Sequence, residues 1–395
     1  MKNIVLISFI LFSYIMKGQD PSFSQFDLNM NYSNPAFTGY EGKTRFLLHS
    51  RNQWNRINEN FNNSIFEFSS RFRLNKNSRK RKTSWCFGVS LISEDLEVLP
   101  QIGNSVFLKR TDIYIYPFTL EMKISKNEYI SASPLNVSFR KYGLSSSSLI
   151  FTDMINDYDN VIADPSFSYS TFNDGRWGVT MSSGLIYTRH GKFNNNKRNR
   201  FNIGFAGNLI TDYESLLGTN TADSKIPQKI TLHSEWYSAI PSWRRPFIPY
   251  YRNMMKHETY FKDGKSIFSK TEIGGTIFLN NTGVELGTIL RINNYQDNGK
   301  AQTWIPILRY RLNSGKNLYI ISFSYDGNIA SSNELLQFVS TGTTYELGFT
   351  IYVGSGRNKN QDCAAFDIMD ENPLYQDVLK KGMFNHRNGN KNFKR

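Results

Sequence analysis

From Lys43 onward the chain alternates apolar and polar positions, segment after segment, the period-two signature of β-strands with one greasy face. In Ser64 to Leu74, Phe66, Phe68, Phe72 and Leu74 share one face, and Glu67, Ser69, Arg71 and Arg73 share the other. In Ser84 to Leu91, Trp85, Phe87, Val89 and Leu91 oppose Cys86, Gly88 and Ser90. Leu318 to Asp326 and Thr344 to Val353 repeat the pattern: Tyr319, Ile321, Phe323 and Tyr325 oppose Ser322, Ser324 and Asp326 in the first, and Tyr345, Leu347, Phe349, Ile351 and Val353 oppose Glu346, Gly348 and Thr350 in the second. A soluble sandwich alternates too, so what the polar side carries decides between them. Here it carries Glu67, Arg71, Arg73, Arg309 and Arg311 in mid-strand, with Gly and Ser at many other positions. That suits a polar lumen inside a wall whose outer face meets lipid. Trp54, Trp85, Trp177, Trp236 and Trp304, near strand ends, fit interfacial girdles.

About fifteen windows carry the pattern: 43–51, 62–74, 84–93, 112–125, 129–141, 165–172, 177–187, 200–210, 228–238, 246–255, 270–279, 282–291, 301–312, 317–326 and 343–353. A bacterial barrel made from one chain has an even number of strands, with short turns on its periplasmic side. Four connections have hairpin chemistry: Lys126-Asn127-Glu128, Asn173-Asp174-Gly175-Arg176, Asn280-Asn281 and Asn313-Ser314-Gly315-Lys316. They fall on one side only if a window between 187 and 270 is removed. The weakest is 246–255, which holds Pro246 and Pro249. The expectation is therefore an all-β, transmembrane antiparallel barrel of about fourteen strands over 43–353, with both termini periplasmic.

Composition agrees with this: 30 Phe and 22 Tyr bring aromatics to 15% of the 395 residues, yet mean hydropathy is −0.47. Residues 1–18, with Lys2, an apolar run from Ile4 to Met16 and Gly18, read as a secretory signal peptide cut after Gly18. The run is shorter than the roughly 20 residues of a membrane-spanning helix. Residues 19–42 form an irregular segment, expected in the barrel lumen or at its periplasmic mouth. Phe23, Phe26, Tyr32 and Phe37 are its apolar anchors, while Pro21, Pro35 and Gly39 prevent regular structure. Residues 354–395 read as a polar periplasmic tail with a short helix from Pro373 to Lys381.

The net charge of +14 and the run KNSRKRK at Lys76 to Lys82 raise nucleic acid as a partner. Export and the lack of aromatic interleaving favour a solvated turn instead. The five histidines are scattered, and Cys86 and Cys363 form no CxxC motif, so no metal or cofactor is expected. No GxSxG elbow or phosphate loop is present, and His233 and Ser234, as adjacent strand residues, point to opposite faces. An enzyme is not expected.

QDPSFSQF from Gln19, NPAFTG at Asn34 to Gly39 and RNQW at Arg51 to Trp54 are similar to the PorP/SprF family of type IX secretion system outer-membrane proteins of Bacteroidota. At the other end, Tyr325-Asp326-Gly327, Tyr345-Glu346-Leu347-Gly348-Phe349 and Cys363-Ala364-Ala365-Phe366 resemble the family's closing elements. Ser22 stands where the family often has histidine, and Ala364 where proline is usual. The resemblance implies an outer-membrane barrel that anchors, or helps secrete, partners bearing a type B C-terminal domain, such as gliding adhesins. Its partners would be that cargo, other secretion components and membrane lipid. It carries partner binding or bracing of the lumen onto Phe23, Gln25, Phe26, Asn34, Pro35, Phe37, Arg51, Asn52 and Trp54. The competing expectation is a diffusive porin or small-solute channel.

Overall fold

The computed structural model describes residues 23–40, 42–53, 59–73, 83–98, 106–125, 127–145, 177–193, 197–210, 228–239, 250–262, 265–279, 283–295, 299–314, 317–331 and 344–353. The strands are β1 (Thr44–Gln53), β2 (Glu59–Arg73), β3 (Thr83–Val98), β4 (Val106–Ser125), β5 (Glu128–Ser145), β6 (Trp177–Phe193), β7 (Lys197–Ile210), β8 (Gln228–Ala239), β9 (Tyr250–Lys262), β10 (Lys265–Phe278), β11 (Val284–Tyr295), β12 (Gly299–Ser314), β13 (Asn317–Ser331) and β14 (Thr344–Val353). Each pairs antiparallel with its neighbours in sequence, and β1 pairs with β14, closing a barrel of fourteen strands. Closure leaves no open edge, which is the condition for strands to cross a bilayer that offers backbone groups no water. Among the described residues no helix is long and apolar enough to span a membrane.

The alternation sorts the two faces. Along β1, Leu48 is exposed on the outside while Arg45, His49 and Arg51 are buried inside. Around the wall Phe66, Leu185, Phe205, Leu308, Ile321 and Leu347 continue the outer apolar belt. Phe72, Trp85 and Phe118 meet near the end where β1 begins, with ring centroids 5.5 and 6.5 Å apart in turn, and Trp177 opens β6 at the opposite end. These are the two levels at which aromatic rings sit between hydrocarbon and water.

The strand count is as the alternation predicts, but the window removed to reach it is the wrong one. β9 occupies Tyr250–Lys262 and pairs with β8 and β10 along its length. The two prolines precede it, outside the described residues. The surplus window is 165–172, which lies outside the described residues; β5 and β6 are bonded directly to each other from Glu128↔Arg189 to Lys141↔Trp177. With β9 restored, Lys126-Asn127-Glu128, Asn280-Asn281 and Asn313 to Lys316 all join strands at the end where β1 begins, hereafter the N-terminal mouth. Asn173 to Arg176 belongs to the connection at the other end, outside the described residues. The leader, the tail with Cys363 and the window 373–381, Trp54 and the basic run in 74–82 also lie outside the described residues.

Candidate functional site

The lumen is filled by the chain's own N-terminal segment, Phe23 to Tyr40, in which nearly every side chain is buried. Its local shape follows from NPAFTG. Asn34 caps a short 3-10 turn, Pro35–Phe37, by accepting the Ala36 N–H at Oδ1 (2.9 Å), and Pro35 stands where the missing N–H costs nothing. Gly39, at φ 64°, then turns the chain toward β1. It lies against Cys86, whose side chain is buried.

This half of the segment seats on the wall formed by β3 to β8. Asn34 Nδ2 lies 3.3 Å from the Leu185 carbonyl, 3.2 Å from that of Phe205 and 3.0 Å from His233 Nε2. Phe37 packs with Ala36, Tyr40, Tyr129 and Ile186, its ring 4.7 Å from that of His233. Tyr40 Oη meets Thr188 Oγ1 at 2.7 Å and accepts from Asn202 Nδ2. Burial pushes the Tyr40 phenol up to about 12 despite the nearby Arg200, so it stays a proton donor at physiological pH.

The other half makes its polar contacts with β9 to β14 and β1 and packs Phe23 against β2 to β4. The Ser24 and Gln25 N–H groups both donate to the Glu346 carboxylate, the second at 3.0 Å, and Ser24 Oγ donates to Asp326 Oδ2 at 2.7 Å. Arg291 donates to the Phe23 carbonyl at 3.0 Å. Gln25 bridges Ser324 and Arg309. Asp27 receives a two-pronged pair of bonds from Arg309, at 2.6 and 2.7 Å, and a further one from Arg252. Burial alone would raise the Asp27 carboxyl, but the two guanidiniums outweigh it and hold the group well below its ordinary value. Two apolar knots complete the seat: Phe23 with Ile65, Ile92, Tyr114 and Tyr116, and Phe26 with Met254, Ile289, Ile305 and Ile307.

The wall carries ion pairs all round. Arg45 meets Glu67, Arg110 meets Glu94 (2.8 Å), and Arg140 meets Asp112 (3.0 Å). Arg200 and Arg252 share Glu235, Arg309 and Arg311 share Glu285, and Lys256 and Arg291 share Glu272. Among the described residues, buried acids and bases are nearly equal in number. A charge taken out of water is tolerable only when so paired. The arrangement binds a peptide segment; among the described residues no cluster could hold a metal ion.

Of the residues expected to brace or bind, Phe23, Gln25, Phe26, Asn34, Pro35 and Phe37 lie in the segment itself, and Arg51 faces it from β1, bonded to Asp326 at 2.8 Å. Asn52 is not with them. One residue beyond Arg51, it points to the outer face beside Asn62, as strand periodicity requires. Trp54 lies outside the described residues. The sequence reading missed Asp27 and its two arginines. The signal was available, since Asp27 is the only charged residue in 23–40.

Two glycines make the Asn34 seat possible. A Cβ at Gly184 would stand 2.0 Å from Asn34 Oδ1, and one at Gly204 would stand 2.2 Å from His233 Nε2. Gly184→Ala should therefore lower barrel stability by about 1–3 kcal/mol, the range for forced overpacking. Gly207→Ala on the same wall, where a Cβ meets nothing within 4 Å, should not. Denaturant titration in detergent, followed by tryptophan fluorescence, separates the two.

Comparison with solved structures returns outer-membrane proteins at low identity. CdiB from Acinetobacter baumannii matches with 8% identity and a TM-score of 0.41 over 79% of this chain, which spans 60% of CdiB. The Ralstonia pickettii toluene transporter TbuX matches with 9% identity and a TM-score of 0.40, over 85% of this chain and 95% of its own. A Pseudomonas aeruginosa FadL homologue gives 9% and 0.41, over 82% and 93%. A search of the curated proteins finds no match. The sequence itself matches the family described as type IX secretion system membrane protein PorP/SprF over residues 15–351. With most of its length matched, and folded as a closed barrel with a lipid-facing belt, the chain belongs to the PorP/SprF family of type IX secretion membrane proteins, in the outer membrane.

Proposed function

We propose that this barrel attaches, or helps to secrete, partner proteins bearing a type B C-terminal domain, such as a surface adhesin, and that it does so by binding without turnover. The observation that carries this reading is the lumen occupied by the chain's own segment and ringed by neutralised charge pairs. A diffusion pore needs a continuous wet path. A filled barrel instead offers a rigid scaffold for contacts at its mouths. Both termini are periplasmic in this reading, because the longest connections, 146–176, 211–227 and 332–343, all lie at the mouth opposite the N-terminal one, and long loops face outward in such barrels.

Purified protein in planar bilayers should pass negligible current; a steady, ion-selective conductance would favour a porin. In cells, removing the protein should abolish surface display of a type B cargo, ideally the adhesin encoded beside it. Unaltered display would overturn the attachment role.

A further inference from the structure

We infer that Phe23 to Asn29 is a latch across the seam at which the barrel closes, so that pairing of β1 with β14 is coupled to the seating of this segment. Every other strand pair in the barrel is joined through one connection, which keeps the partners close when their ladder frays. The first and last strands are held together only through the whole chain, so their reclosure carries the largest loop-entropy cost. They are also the two shortest strands, 10 residues each, paired from Thr44↔Val353 to Asn52↔Tyr345.

The segment bonds to both sides of that seam. On β14, Glu346 takes the Ser24 and Gln25 N–H groups, and the Leu28 side chain lies over Gly348, where a Cβ would come within 3.0 Å of it. On β1, Arg45 donates to the Leu28 carbonyl, Asn29 Nδ2 lies 2.8 Å from His49 Nδ1, and the Phe23 ring stands 4.9 Å from that of His49. Arg51 and His49 also reach Glu346, at 3.4 and 3.2 Å, so the carboxylate that holds the segment is the one that ties the two strands. Asn34 to Tyr40 anchors the segment to the opposite wall. A force or partner that lifts Phe23 to Asn29 would thus remove side-chain ties from the seam itself.

Amide exchange of the protein in lipid, read by mass spectrometry, tests this. In Leu28→Ala/Asn29→Ala, which removes the side-chain contacts to Gly348 on β14 and to His49 on β1, amides of 44–53 and 344–353 should exchange at least about tenfold faster while β7 and β8 are unchanged, since local opening follows local bonds. Asn34→Ala should do the reverse, loosening β6 to β8 and sparing the seam. Oxidised Leu48→Cys/Phe349→Cys, joining a register pair on the outer face, should restore protection to the latch variant. If the double variant fails to fold, Asn29→Ala alone should show a smaller rise confined to β1. Seam exchange equal to wild type in a folded latch variant, or a rise spread evenly round the barrel, would overturn the proposal.

Discussion

Replacing Asp27 by alanine should destabilise the folded barrel by about 3 kcal/mol, the low end of what removing one partner from a buried ion pair costs. Asp27 is the shared anion of Arg309 and Arg252, and all three side chains are almost wholly withdrawn from solvent. Without it, two guanidiniums face a space once filled by a carboxylate. The loss is not larger because Glu285 still reaches Arg309 at 3.2 Å and Glu235 still reaches Arg252. Asp27→Asn keeps the volume and removes only the charge, so a similar loss there assigns the effect to electrostatics. A change below about 0.5 kcal/mol in both variants, the scale of an indifferent surface substitution, would mean that the segment is not seated by this bond.

The same carboxyl sets an acid limit. Its folded-state value lies below the ordinary 3.8, so its contribution is complete above that value and is lost as pH falls through the folded one. Unfolding of the wild type should therefore show no Asp27-dependent change between about pH 8 and 5. The gap between wild type and Asp27→Asn should begin to narrow only below about pH 4. A gap that narrows near neutrality would contradict the paired geometry.

How much of this is visible beforehand depends on the range of the physics. Which face of a strand meets lipid is a two-residue property, and Phe66 against Glu67 or Leu347 against Glu346 reveals it without a fold. Which strands are neighbours is not local. The window 165–172 alternates as well as any strand, yet β5 bonds to β6, and β9 reads as weak in part because the window 246–255 runs across Pro246 and Pro249. Asn253, His257 and Thr259 on the outer face of β9 also blur its contrast. The site shows the same division. Asn34-Pro35 declares its own turn, whereas the partners of Asp27 lie 225 and 282 residues away and emerge only from closure of the barrel.

Truncating the two aromatic anchors should cost more than removing the charge. Phe26→Ala opens a hole among Met254, Ile289, Ile305 and Ile307, side chains fixed on three strands of a closed sheet that cannot collapse into it. Phe23→Ala does the same between Ile65, Ile92, Tyr114 and Tyr116 and also removes the ring beside His49. Each should lose about 3–5 kcal/mol, the range for burying and then deleting a phenyl group. Phe26→Leu, which keeps most of the volume, should recover the larger part of it. Measuring cargo display in the same variants separates bracing from contact. If these rings brace the lumen, display falls only in proportion to the folded protein that remains and returns with Phe26→Leu. Full stability combined with lost display would instead put Phe23 and Phe26 at a surface that the partner reaches.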